Sequence, residues 1–291
     1  MRRERKEIWM GSVLGAISAL LLFAGTAHGF EGKLTEEFHQ TYPLSDRGRI
    51  ELENINGPVH ISAWDRNEVK VDAVKSAWNK KRLDESKIEV NASANSLSIR
   101  TKYPEHDHNF TNDDHDNPAS VEYTLTVPKQ ARLDEISLVN GALDLQGIAG
   151  DVKASCVNGL LQARDLSGRV QLSTVNGQLD ASVGQVSSSR VELSAVNGGL
   201  KLTLPSDAKA RVEASTVSGG ISNDFGLPVA KHMVGRSLNG ELGGGGTEIH
   251  LSNVNGRIEI LHANDNRPMS PAKSIDRNDR DGDRDDDDDS I

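Results

Sequence analysis

Hydrophobic and polar residues alternate along much of the chain with the period of a β-strand. In "VELSAVNGGLKLTL" the side chains of Val191, Leu193 and Ala195, then Leu200 and Leu202, fall on one face. Glu192, Ser194 and Lys201 fall on the other. The two runs meet at Asn-Gly, and the phrase recurs as "ISLVNGALDLQ", "ASCVNGLLQAR", "LSTVNGQLDAS" and "LSNVNGRIEIL". The residue before each turn Gly gives a series of markers: Asn140, Asn158, Asn176, Asn197, Ser218, Asn239 and Asn255. Their spacings of 18, 18, 21, 21, 21 and 16 define a repeat of about twenty residues, with "VSGG" and "SLNG" as drifted copies. Asn56 is an isolated earlier copy, so the pattern begins near Ile50, is interrupted, and resumes near Val121. A looser turn such as "GIAGDV" or "DLSGRV" separates consecutive Asn-Gly turns, so one period reads strand, turn, strand, turn. No long stretch at helical period follows the first 29 residues, and only "NKKRLDES" (79–86) reads as a short exposed helix.

Such a unit suits either an antiparallel meander of Asn-Gly hairpins or a coil in which each period stacks on the last. A meander gives no reason for residues at fixed offsets to stay alike, whereas stacked rungs hold equivalent residues in register about 4.8 Å apart. One period also buries too few aliphatic side chains to offset the entropy of ordering it, so rungs must share a core. The pattern therefore predicts an all-β fold, a β-solenoid (β-helix or β-roll) of roughly 18–21-residue rungs. In that fold the Val of Val-Asn-Gly packs inward and Gly takes the positive φ of the corner. Asn140, Asn158, Asn176, Asn197, Asn239 and Asn255 then form a structural amide ladder.

Two places before the markers stand Leu138, Cys156, Thr174, Ala195, Thr216, Ser237 and Asn253, in the inward phase. Cys156 thus reads as a small core residue and not as a reactive thiol. One place earlier Ser137, Ser155, Ser173, Ser194, Ser215 and Ser252 turn outward, and Arg236 alone breaks the column. This hydroxyl column is a candidate binding face. Charged and polar neighbours such as Lys153, Gln171, Glu192 and Glu213 argue against an ice-binding array.

The first residues add an address. Basic "MRRERK" precedes an uncharged run from Ile8 to Thr26, and Ala27 and Gly29 sit at the small positions of a cleavage site before Phe30. Residues 1–29 read as a signal peptide, and the expected location is the periplasm or surface of a bacterium. A membrane is a partner only if that segment stays uncleaved. The organisation expected is then an N-terminal β segment or cap over 30–120 with a His/Asp-rich insertion at 104–117, repeats over 121–262, and a disordered acidic tail over 263–291. A single cysteine permits no intrachain disulfide, so packing must hold the fold. The net charge is −10, and removing the +2 of residues 1–29 leaves −12. From Asp276 to Asp289 nine Asp and three Arg contribute −6 of this, so the body is mildly acidic. Nucleic acid is excluded as a partner because no segment clusters Lys and Arg.

Catalytic signatures are missing. There is no Gly-x-Ser-x-Gly elbow, no Cys-His pairing and no phosphate loop, since "GELGGGG" lacks the Lys and following helix. No cofactor is implied. The one cluster with metal-ligand chemistry is His106, Asp107, His108, Asp113, Asp114 and His115, whose imidazoles and carboxylates suit zinc, copper or nickel but whose spacing matches no defined site. The tail approaches a calcium loop at "RNDRDGDRDDDD", with Arg277 where the first Asp should stand.

The phrases "INGPVHISAWDRNEVKVDAVKSA", "VEYTLTVPKQARLDEISLVNGALDLQGIAGDVKASCVNG", "LPSDAKARVEASTVSGGISNDF" and "LNGELGGGGTEIHLSNVNGRIEI" together resemble the bacterial adhesin-like β-strand-repeat envelope family, catalogued as a domain of unknown function. The resemblance runs from about Arg49 to Leu261 and implies an exported β-solenoid with no catalytic residues to transfer. The expected function is a non-enzymatic envelope or surface scaffold presenting sheet faces to an envelope protein or glycan. The alternatives are a periplasmic metal-binding or metal-responsive protein, using the His/Asp insertion and tail, and a carbohydrate-active β-solenoid enzyme.

Overall fold

The computed structural model describes residues 32–104, 117–184 and 190–275. Residues 1–31, residues 105–116 of the His/Asp-rich insertion, residues 185–189 and the tail from 276 onward lie outside them. Elements β1 (Leu34–Pro43), β2 (Arg49–Asn56), β3 (Val59–Trp64), β4 (Glu68–Ala77), α1 (Lys80–Glu85), β5 (Lys87–Ala92), β6 (Ser96–Lys102) and β7 (Ser120–Pro128) come first. The regular repeats follow as β8 (Arg132–Asn140), β9 (Leu143–Gln146), β10 (Val152–Asn158), β11 (Leu161–Leu166), β12 (Val170–Asn176), β13 (Leu179–Val183), β14 (Val191–Asn197) and β15 (Leu200–Leu204). Then come β16 (Ala210–Ser218), β17 (Ile221–Asn223), β18 (Val229–Lys231), β19 (Arg236–Leu242), β20 (Thr247–Asn255), β21 (Ile258–His262) and β22 (Ala272–Ser274).

These strands form two large mixed sheets. The first runs β1-β4-β7-β3-β9-β11-β13-β15-β21-β17, and the second runs β18-β19-β16-β20-β14-β12-β10-β8-β2-β6-β5, with β22 on β19. Each Asn-Gly turn carries the chain from the second sheet to the first, and each looser turn carries it back. Within the repeats neighbouring strands are parallel and in register, so that Val152, Val170, Val191 and Ile249 are level with one another. Alternation sorts the faces. In β12, Val170, Leu172 and Thr174 are buried while Gln171 is exposed and Ser173 half-buried. The inward side chains of both sheets share one core, from Ile50 and Leu52 to Ile258 and Ile260.

Asn79 caps α1, its Oδ1 accepting the Arg82 N–H at 2.9 Å. Lys75 is buried beside that helix. Its Nζ donates to the carbonyls of Leu83 and Ser86 and pairs with Glu36 at 2.9 Å, which answers the unsatisfied carbonyls of the helix C-terminus.

Stacking departs from chain order in two places. The early copy β2 lies directly beside β8, so the interruption in sequence is no interruption in space. At the far end β20 and β21 insert between β14 and β16 and between β15 and β17 respectively. The copy that ends in Asn255 therefore precedes the copy that ends in Ser218. In this order Asn255 continues an amide row that Ser218 in its place would break.

Candidate functional site

The repeated corners place their side chains in columns. Asn140 donates its Nδ2–H to Oδ1 of Asn56 at 3.0 Å, Asn158 to Asn140 at 2.9 Å, and Asn176 to Asn158 at 3.0 Å. Asn197 donates to Asn176 and Asn255 to Asn197, both at 3.0 Å. Ser218, with no amide, sits beyond Asn255 at the end of this row. Asn239 stands off it. It lies in β19, antiparallel to β16, opposite Glu213, because the "SLNG" copy runs through the strand without turning a corner.

Below the row, the inward residues two places earlier tie the corners together. Asn253 donates to the Gly198 carbonyl at 2.9 Å, Thr216 to that of Gly256 at 3.3 Å, and Cys156 Sγ to that of Gly141 at 3.5 Å. Cys156 is 1% exposed, and burial pushes its thiol pKa up, which removes it from nucleophilic chemistry.

The Val of Val-Asn-Gly corrects the expectation of an inward side chain. Val175 is 40% exposed, Val196 39%, Val254 40%, Val217 55% and Ile55 42%, while Val139 and Val157 are half-buried. Alternation does not lapse before the corner: Thr174 takes the inward place, so the next residue must point out. Ile55, Val139, Val157, Val175, Val196, Val254 and Val217 are therefore level across seven adjacent strands of the second sheet. Six strand spacings make this β-branched stripe about 29 Å long.

Beside the stripe runs the serine column, Ser137, Ser155, Ser173, Ser194, Ser252 and Ser215, also level strand by strand. Beyond it the face is charged. His250 stands between Glu213 at 3.4 Å and Glu248 at 3.9 Å, and Glu248 meets Arg190 at 3.8 Å. Near β8 the same face carries a depression of about 410 Å³ among Arg132, Asp134, Lys153, Arg169 and Gln171. The face thus grades from apolar at the corner, through hydroxyls, to mixed charge. That order offers binding by contact area and hydrogen bonds.

His106, Asp107, His108, Asp113, Asp114 and His115 lie outside the described residues. Among the described residues no group of three His, Cys, Asp or Glu side chains is placed to hold a metal ion. Among them also no helix is long and apolar enough to cross a membrane.

No family model and no curated protein sequence matches the chain. Solved structures similar to it include a "putative cell adhesion protein" from Clostridium sporogenes, 14% identical over 79% of this chain and 99% of that chain, with a TM-score of 0.48. A "putative adhesin" from Bacteroides fragilis is 11% identical over 78% of this chain and 97% of that one, with a TM-score of 0.30. Another from Parabacteroides merdae is 9% identical over 77% and 96%, with a TM-score of 0.32. These neighbours are bacterial and named for adhesion. Likeness of this depth fixes neither a function nor a ligand, which must be argued from the chain's own residues.

Proposed function

We propose that the chain is an exported β-solenoid scaffold of the bacterial envelope or surface. It binds an envelope protein or glycan without catalysis, through the outer face of its second sheet. The observation that carries this reading is the apolar stripe from Ile55 to Val217 across seven strands, exposed at Ile55, Val175, Val196, Val254 and Val217 and half-buried at Val139 and Val157. A contiguous exposed row of β-branched side chains is an unfavourable surface for a monomer in water and marks contact with a partner. The level serine column beside it supplies hydrogen bonds, and the parallel in-register pairing from β8 to β16 supplies the rigid backing that keeps contact area aligned.

Retention of the full chain on isolated envelopes tests the proposal. Val175→Lys with Val196→Lys places two charges mid-stripe without touching the core. Losing two central contacts lowers retention by roughly tenfold or more. Retention equal to that of the unaltered protein removes the face from the function.

A further inference from the structure

The looser turns gather at the edge of the stack opposite the Asn-Gly corners. There the ends of four adjacent strands of the first sheet lie in the order β7, β3, β9 and β11. They bring Lys129, Trp64 with Asp65, Gly147 and Asp165 side by side. Backbone bonds fix the edge: Lys129 N–H donates to Trp64 O at 3.0 Å, Ala149 N–H to Lys129 O at 2.8 Å, and Ser167 N–H to Ile148 O at 3.2 Å. Among these turns opens a cleft of about 560 Å³, a size ordinary for small-ligand sites. Its lining includes Trp64, Asp65, Lys129, Gln130, Gly147 and Asp165.

Three features set it apart from ordinary surface. The first is a gap: Gly147 has no side chain, and its turn, opposite Ala63, stands between β3, which ends at Trp64, and β11, which carries Asp165, strands two spacings or about 9.5 Å apart. The second is strain. Gly147 has φ 73°, and Asp165, one rung on, has φ 55°, a left-handed backbone that glycine adopts freely and a side chain makes costly. Asp165 nevertheless occupies it and carries a carboxylate to the cleft, and such outliers gather at functional sites. The third is unused polarity. Neighbouring charges are paired, as in Arg164 with Asp144 at 3.5 Å, Arg66 with Glu68 at 3.4 Å and Arg132 with Asp134 at 3.0 Å. The Asp65 and Asp165 carboxylates, the Lys129 ammonium and the Gln130 amide have no partner among the described residues.

Charge selects the ligand class. An indole with two carboxylates would suit a cation, but Lys129 in the same lining offsets one carboxylate; Arg66, 4.9 Å from the Trp64 ring centroid, lies outside that lining. What remains is an aromatic surface with acceptors on one side and donors on the other, nearly balanced in charge. That combination recognises a neutral molecule with an apolar flank and many hydroxyls. We infer that the cleft between Trp64 and Asp165 is a saccharide-binding subsite for one or two neutral pyranose units. The sugar's C–H face packs on Trp64, Asp65 and Asp165 accept from its hydroxyls, and Lys129 and Gln130 donate to its oxygens. The site lies at the opposite edge from the valine stripe and does not rest on the sheet-face reading.

Calorimetry on the full chain with cellobiose, maltose and N,N′-diacetylchitobiose tests it. At least one of the three binds at millimolar concentration or below. Gly147→Asn keeps the left-handed turn, which Asn tolerates, and fills the gap. A Cβ there meets only the Ala63 Cβ at 3.6 Å, so this variant stays folded by circular dichroism and loses sugar binding. Asp165→Gly relieves the backbone strain and removes a charged acceptor, so its Tm does not fall while affinity drops about tenfold. Trp64→Ala loses binding, whereas Trp78→Phe leaves it unchanged. No binding of any of the three sugars at millimolar concentration overturns the inference. So does wild-type affinity in folded Gly147→Asn and Asp165→Gly.

Discussion

The two long edges of the stack are made by the same chain in alternate turns and are built differently. At the Asn-Gly edge the turns repeat one solution, with a packed glycine at the bend and an amide row outside that only Ser218 fails to join. At the opposite edge no two turns agree. Trp64, Lys129, Gly147 and Asp165 come from adjacent turns and share no chemistry. Repetition here belongs to the scaffold, because a stacked contact constrains each rung to match its neighbours. Variation collects where the turns are free to differ. The edge most conspicuous in the sequence thus presents one repeated surface, and the other presents turns that differ.

The contrast breaks most sharply at glycine. A Cβ on Gly177, whose φ is 151°, runs into the backbone carbonyl of Gly159, and neither backbone can yield without parting the rungs. Gly177→Ala is expected to cost about 3–5 kcal/mol, in the range of severe core substitutions. Gly147→Asn, at the other edge, is expected to stay within about 1 kcal/mol. Denaturant unfolding of both variants measures the difference. Equal costs would mean that the two edges are not distinct in kind.

The amide row gives the next effect. Asn176→Ala removes two side-chain bonds, one donated to Asn158 and one accepted from Asn197. About 1–2 kcal/mol is expected, since each bond contributes about 1 kcal/mol net and the row is open to water. The reverse change sharpens the argument. Ser218 is level with Asn255, so Ser218→Asn extends the row by one member and is expected to raise stability by about 0.5 kcal/mol. A loss of stability in that variant would mean that the row does not set which rung stacks last.

These effects explain what was legible. The alternation that sorts Val170, Leu172 and Thr174 inward is local, and so strand content and the all-β class could be read from neighbouring residues. The outward stripe was legible in principle, since carrying the same alternation one residue past Thr174 exposes Val175. Assuming a lapse at the corner hid it. The insertion of β20 beside β14 was not legible, because it depends on a choice between two distant copies whose markers differ by one side chain, Asn255 against Ser218. The cleft was hidden for a related reason. Its residues come from four turns spread over sequence positions 63 to 167, and no period connects them.

The smallest expected effect lies outside both edges and shows what a charge contributes where no ladder supports it. His39 on β1 faces Asp72 on β4, with Nδ1 2.7 Å from Oδ1, and its Nε2 lies 3.2 Å from Glu37. The hydrogen bond to Asp72, then that to Glu37, raises the His39 pKa above its ordinary value. A raised folded-state pKa means that protonation favours the folded form. The contribution is fully present below the unfolded value of about 6.5 and is lost as pH rises through the higher folded value. Because the pair is exposed and screened, the effect on stability is small. Asp72→Asn should lower the His39 pKa measured by NMR titration, and the Tm difference between His39→Gln and the unaltered chain should shrink from pH 5 to pH 9, the window about 6.5 set by the raised pKa. A constant Tm difference across that window would show that His39 contributes packing alone, leaving β1 held to β4 by its backbone ladder.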